Sequence, residues 1–270
     1  MDLKTACFPA KGSETTRGHS GARGARLARR LGILLALLAV PSAALAAANV
    51  VTVKGKTLGT GKLMNPAWNE AKDPKSHRFT FREPSLTVRQ DVRNLTGYMP
   101  KELCIAALVV DGKAPAPKVP LRVTIAGGRT SPVTLVVAEG QQIQFENLDP
   151  FPHKLYDTGN KGFAVAETVA AKSRSWTPPG PGKYEIRDQT TPSLRSWIVV
   201  EPRAVGVGYP DRKGDFAIDL EPGKYKLRGY YNGEPVGSEI DAIVAPAPVE
   251  QLLKVPLQVG ETVADAGTGG

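Results

Sequence analysis

The chain has 270 residues, with 35 Lys and Arg against 26 Asp and Glu, 7 Phe, 7 Tyr, 3 Trp, 28 Gly, 23 Pro and two Cys. That composition excludes a collagenous, a disulfide-framed or a broadly disordered chain. The weight of Gly and Pro favours many short strands joined by turns over a helical bundle.

The first segment reads as an export signal. Lys4, Lys11, Arg17, Arg23, Arg26, Arg29 and Arg30 precede an apolar run over residues 31–40, and Pro41 to Ala46 closes on a small-x-small pattern. A basic region, an apolar stretch and an A-x-A site predict a Sec-type signal peptide over residues 1–46, cleaved after Ala46. A retained anchor would need about 20 apolar residues, and Pro41-Ser42 interrupts this run. Arg29-Arg30 matches only the pair of a twin-arginine signal, and Cys7 precedes the apolar run, so no lipoprotein acylation site is apparent.

Beyond residue 46 the basic excess falls to 28 against 24, and Lys and Arg are interspersed with acidic neighbours. This is the pattern of a solvated surface, and it argues against nucleic-acid binding. Lys56 to Lys62 has two glycines but not the spacing of a phosphate loop, and reads as a hairpin turn. Residues 64–91 are irregular and include His77, and Asn94-Leu95-Thr96 is a sequon of low specificity. Cys104 lies in the apolar run of residues 103–110 and reads as a buried structural thiol without an internal disulfide partner.

From there the pattern is period-2 alternation in short runs: residues 121–125, 133–137, 142–146, 183–187, 196–200, 215–219 and 224–228. Alternation of this kind marks strands with one wet face. Glu139-Gly140, Pro178 to Gly182, Lys213-Gly214 and Glu221-Pro222-Gly223 supply the turns. Regular spacing with almost no helical period predicts an all-β protein of antiparallel sandwiches. Residues 249–259 are apolar enough for a last strand, and residues 261–270 read as a flexible tail.

Within residues 134–200 the order of features resembles the plastocyanin-like (cupredoxin) family. Phe145-Glu146-Asn147-Leu148-Asp149 matches an F-x-N-x-D segment after a strand, turn and strand, and His153 stands where the family's first copper-binding histidine sits. Pro179 to Ile186 resembles the strand that leads into the ligand loop, and Trp197 to Val200 the closing strand. The resemblance places Asp188, Thr191 and Leu194 at the Cys, His and Met positions of the C-x-x-H-P-x-M ligand loop, with Pro192 and Arg195-Ser196-Trp197 keeping the register. It therefore implies the sandwich without its copper, because type 1 copper needs a thiolate, two imidazoles and a weak thioether. A remodelled metal site from His153, His77 and Asp188 is the alternative, with copper handling or electron transfer as its role.

A second resemblance covers residues 211–230. Gly214, Phe216, Ile218, Pro222-Gly223, Tyr225 and Leu227 look like a hairpin of the carboxypeptidase regulatory-like β-sandwich, a non-catalytic module. A two-stranded hairpin alone is marginal in water, so strands from residues 50–110 are expected to complete it.

No catalytic set emerges: there is no G-x-S-x-G elbow, and Glu102, Glu139, Glu146, Asp149, Glu167 and Asp188 carry no spacing that fixes an acid/base pair. The expected organisation is a signal peptide over 1–46, an N-terminal β segment over 47–116, a cupredoxin-like domain over 117–202, a regulatory-like module over 203–260 and a tail over 261–270. The function expected is a non-catalytic binding or structural protein of the periplasm or cell surface, without cofactor or bound metal. Its partner is an envelope protein or polymer, not nucleic acid. The aromatic loop end formed by Phe151, Pro152, His153, Tyr156, Pro192 and Trp197 is either the surface such a partner meets or a plug for the vacated site.

Overall fold

The computed structural model describes residues 50–64, 97–159, 162–191 and 193–260. The expected signal segment, His77, the sequon at Asn94, Pro192 and the tail lie outside the described residues. Among those described, no helix is long and apolar enough to cross a membrane.

The strands follow in chain order: β1 (Val51–Leu58), β2 (Leu103–Val109), β3 (Leu121–Ala126), β4 (Arg129–Ser131), β5 (Thr134–Val137) and β6 (Ile143–Asn147). Next come β7 (His153–Asp157), β8 (Ala166–Thr168), β9 (Ser173–Trp176), β10 (Gly182–Asp188), β11 (Arg195–Val200) and β12 (Ala204–Gly208). The last are β13 (Asp215–Leu220), β14 (Gly223–Tyr231), β15 (Glu234–Val244), β16 (Glu250–Leu252) and β17 (Leu257–Gln258). A single helical turn, α1 (Met99–Glu102), precedes β2.

The protein is all-β, and the described strands form four sheets that enclose two principal cores. The order β5-β11-β10-β7-β8 faces β4-β3-β6-β9, and between them lie Val123, Ile125, Leu135, Phe145, Leu155, Phe163, Trp176, Ile186 and Ile198. The order β12-β2-β14-β15 faces β13-β1-β16 with β17 beside β1, and Val51, Val53, Leu103, Ile105, Phe216, Ile218, Tyr225 and Leu227 fill that space. Period-2 alternation explains the burial directly: Phe216, Ile218 and Leu220 point inward from β13 while Asp215, Ala217 and Asp219 stay exposed. The sheets are not purely antiparallel. β3 runs parallel to β6, β5 to β11, and β1 to both β16 and β17.

Three local expectations need correction. Residues 211–230 do not form a hairpin: β13 pairs with β1, whereas β14 pairs with β2 and β15. Pro222-Gly223 turns the chain from one sheet into the facing one, so Phe216 and Tyr225 share a core without sharing a ladder. Gly59 likewise does not close a hairpin, since it leads from β1 into a short 3-10 turn over Thr60–Lys62. The apolar stretch of residues 249–259 is split into β16 and β17, both laid alongside β1.

β2 joins the two sandwiches, and its sequence shows why. Leu103, Ile105 and Ala107 face one core. Cys104, Ala106 and Leu108 face a seam with Val136 of β5, Ala204 and Tyr230, against which Val199, Val207 and Tyr209 also pack. A strand covered on both faces has no wet side to alternate toward, hence its continuous apolar run. Burial pushes the Cys104 thiol up to about 12, against weaker opposing pulls from the Tyr209 hydroxyl and the Val136 backbone. The thiolate is the reactive form. With Cys7 replaced by Ser, Cys104 should therefore resist a thiol-specific reagent in native buffer and react fully once denatured. Rapid native labelling would mean that the seam opens.

Candidate functional site

The site is built at one end of the first sandwich from three turns. Asn147, the last residue of β6, is fully buried, and its side chain shapes the loop that follows. Its amide nitrogen donates to the carbonyls of Phe151 (2.9 Å) and Thr168 (3.0 Å), and its amide oxygen accepts from Asp149 N–H (2.9 Å). This Asx turn points the Asp149 carboxylate at the turn between β3 and β4. There Gly127 and Gly128 adopt φ of 59° and 66°, a region costly for residues with a Cβ. Their N–H groups donate to Asp149 Oδ1 at 2.6 Å and Oδ2 at 2.8 Å.

His153 opens β7 and is wholly inaccessible to solvent, with the ring turned inward opposite Thr168 of β8. Its Nε2 lies 3.0 Å from Asp149 Oδ2, and its Nδ1 is in hydrogen-bond contact with Asp188 Oδ2. Asp188 closes β10 and is held by the other oxygen as well. Oδ1 accepts from Lys154 N–H (2.9 Å), Thr190 N–H (2.9 Å) and the Thr190 hydroxyl (2.8 Å). The result is a buried carboxylate–imidazole–carboxylate line across the end of the sandwich.

Both carboxylates titrate below their ordinary value. For Asp149 the Gly128 N–H is the main cause, helped by Gly127 and His153 against the opposing effect of burial. For Asp188 burial is the largest influence and acts upward, but the hydrogen bonds from His153, Thr190 and Lys154 together outweigh it.

The structure brings together only part of what the sequence singled out. His153 and Asp188 touch, and Thr191 lies by the β3–β4 turn, with its methyl where a Cβ on Gly128 would project. Leu194 is fully buried in the first core. Phe151 stacks at a tilt 5.1 Å from the imidazole and is partly exposed. Tyr156 and Trp197 do not belong to this end, because strand pairing puts Tyr156 opposite Arg187 and Trp197 opposite Glu185 on the outer face of their sheet. Trp197 lies against Gly233 of the second sandwich, with Lys183 over its ring. His153 is thus a strand residue engaged by two acids, where the sequence reading treated it as a loop ring available to a partner or plugging a gap.

Asp149 is the member that sequence reasoning missed as a partner of His153. Its signal was present: it ends the F-x-N-x-D segment and stands four residues before the histidine. Among the described residues no group of three His, Cys, Asp or Glu is arranged to hold a metal ion.

The chain matches no protein-family model and no curated protein. Solved structures similar to part of it include amicyanin from Paracoccus versutus (Thiobacillus versutus), 17% identical, covering 36% of this chain and 97% of that one with a TM-score of 0.29. A purple cupredoxin from Nitrosopumilus maritimus is also 17% identical, covering 30% of this chain and 99% of that one with a TM-score of 0.27. A reduced amicyanin variant is 22% identical, covering 36% and 99% with a TM-score of 0.29.

Proposed function

We propose that this chain is an exported, non-catalytic β-sandwich protein whose cupredoxin-like part has given up copper, with a binding or structural role in the cell envelope. The direct contact between His153 and Asp188 carries this reading. Two donors that share a metal at bonds of about 2 Å stand roughly 3 Å or more apart, whereas these two groups are already bonded to each other. The surrounding residues do not fit type 1 copper either. Asp188 and Thr191 offer hard oxygens, Leu194 offers no donor, and the thiol of Cys104 lies in the seam between the sandwiches.

A non-catalytic role is supported by the same geometry. Both imidazole nitrogens are engaged by carboxylates, and the nearby Thr190 hydroxyl donates to Asp188 instead of to the ring. Neither ring nitrogen is left free to take a proton from a nucleophile. Leu148 and Phe151 on the loop before β7, and Val169 just after β8, are exposed. They give that end an apolar rim suited to an envelope protein or polymer. The second sandwich, with its Asp211 turn and Gly214 at φ 88°, is read as the regulatory-type module that accompanies it.

Metal analysis and titration of the purified chain with copper and zinc test this reading, with His153→Ala as the comparison. Neither metal should bind at one equivalent, no thiolate-to-copper absorption should develop, and the variant should behave as the parent does. One-to-one binding that disappears in His153→Ala would overturn the proposal in favour of a metal-handling protein.

A further inference from the structure

We infer that His153 is held in the folded protein as an imidazolium, and that this buried cation clamps three turns together at the end of the sandwich where the related family holds a metal. The inference rests on the copper-free reading above and adds to it what occupies the site: a proton on each ring nitrogen.

The assignment follows from counting donors and acceptors. A neutral imidazole has one N–H and one lone pair, an imidazolium has two N–H groups, and an ionised carboxylate only accepts. Here both ring nitrogens face carboxylate oxygens, Nδ1 toward Asp188 and Nε2 toward Asp149, at a residue with no solvent access. A neutral ring would press one lone pair against a carboxylate oxygen with no water to intervene, a costly arrangement for buried polar groups.

Placing the extra proton on an acid is the weaker solution. Asp188 Oδ1 already accepts three hydrogen bonds, and each oxygen of Asp149 accepts a backbone N–H. All five contacts favour ionised carboxylates. Of the charged groups on the strands around the ring, Arg174 of β9 donates to the carbonyls of Leu155, Ala164 and Ala166, and Asp157 lies four residues farther along the same face of β7. Lys154 and Glu167 pair across β7 and β8 at the position after the His153 and Thr168 pair, on the opposite side of the sheet, and Arg187 lies opposite Tyr156. Thr168 contributes an uncharged hydroxyl, and Phe151 an apolar ring that covers the imidazole.

The clamp connects separate parts of the chain. Through Asp149 the ring is linked to Gly127 and Gly128 of the β3–β4 turn, and through Asp188 to the turn at Thr190. A metal ion could use either nitrogen only by displacing its proton and a carboxylate together.

Imidazole-nitrogen NMR on the full chain tests this, with His153→Gln to assign its signals apart from those of His19 and His77. At neutral pH His153 should show two ring N–H protons on two pyrrole-type nitrogens, unchanged by one equivalent of Zn²⁺. In Asp149→Asn only the Nδ1 proton should remain. A single ring N–H in the parent protein, with Zn²⁺ without effect, would overturn the clamp and leave the copper-free reading standing. Loss of the N–H signals on adding Zn²⁺ would overturn both.

Discussion

Asp188→Ala is expected to destabilise the protein by about 3–5 kcal/mol, the cost typical of removing one partner from a buried ion pair. The substitution leaves the Nδ1 side of His153 without an acceptor and also frees the N–H groups of Lys154 and Thr190. Asp188→Asn should cost less, since an amide oxygen still accepts, although its NH₂ must then face one of the existing donors. Urea unfolding at neutral pH measures both. The pH dependence provides a separate check. Asp149 and Asp188 have folded-state values below their ordinary one, so their contribution is fully present above about pH 4 and is lost as pH falls through the folded values. The parent protein should therefore lose stability toward acid more steeply than Asp188→Ala does. Equal stability of Asp188→Ala and the parent, or identical acid slopes, would mean that the carboxylate contributes nothing to the end of the sandwich.

The legible and illegible parts of this molecule differ by the range of the interaction involved. Strands such as β6 and β13 announced themselves because alternation is a local consequence of one wet and one dry face. That residues 188–194 contain no Cys, His or Met was readable for a similar reason, since it concerns residue types within seven positions. What Asp188 does instead was not readable. Its partner His153 is 35 residues away, and the second acid, Asp149, reaches the ring only because Asn147 and the two glycines of the β3–β4 turn aim it there. Sequence spacing holds no record of that convergence. The misread hairpin at residues 211–230 has another cause. Pro222-Gly223 reverses the chain equally well within one sheet or between two facing sheets, and the same alternation fills the core in either case. Trp197 was misplaced because an aromatic ring on a closing strand can face outward to a loop end or to another sandwich, and only the strand pairing decides.

Ile105→Ala, made in the second sandwich, should weaken the first one too. Ile105 is fully buried and stands opposite Gly208 on one neighbouring strand and Gly229 on the other. Neither neighbour has a side chain that could swing in to fill the space left behind. The truncation should cost about 2–5 kcal/mol, as large-to-small changes in rigid cores do. Its reach follows from β2, whose alternate residues serve the second core and the seam with Val136 and Val199 of the first sandwich. The seam is tied further by the hydroxyl of Tyr209, which donates to the Thr134 carbonyl at 2.9 Å, and by Asn232 N–H, which donates to the Thr134 hydroxyl at 3.2 Å. A strand shared in this way cannot leave one core and keep the other. Amide hydrogen exchange reads the coupling strand by strand. The slowest amides of β10 and β11 should exchange faster in the variant by the same factor as those of β1 and β13, about 30-fold to several-thousand-fold for that range of free energy. Protection lost in β1 and β13 but retained in β10 and β11 would show instead that the sandwiches unfold independently, and that the seam is a contact surface between two self-sufficient cores.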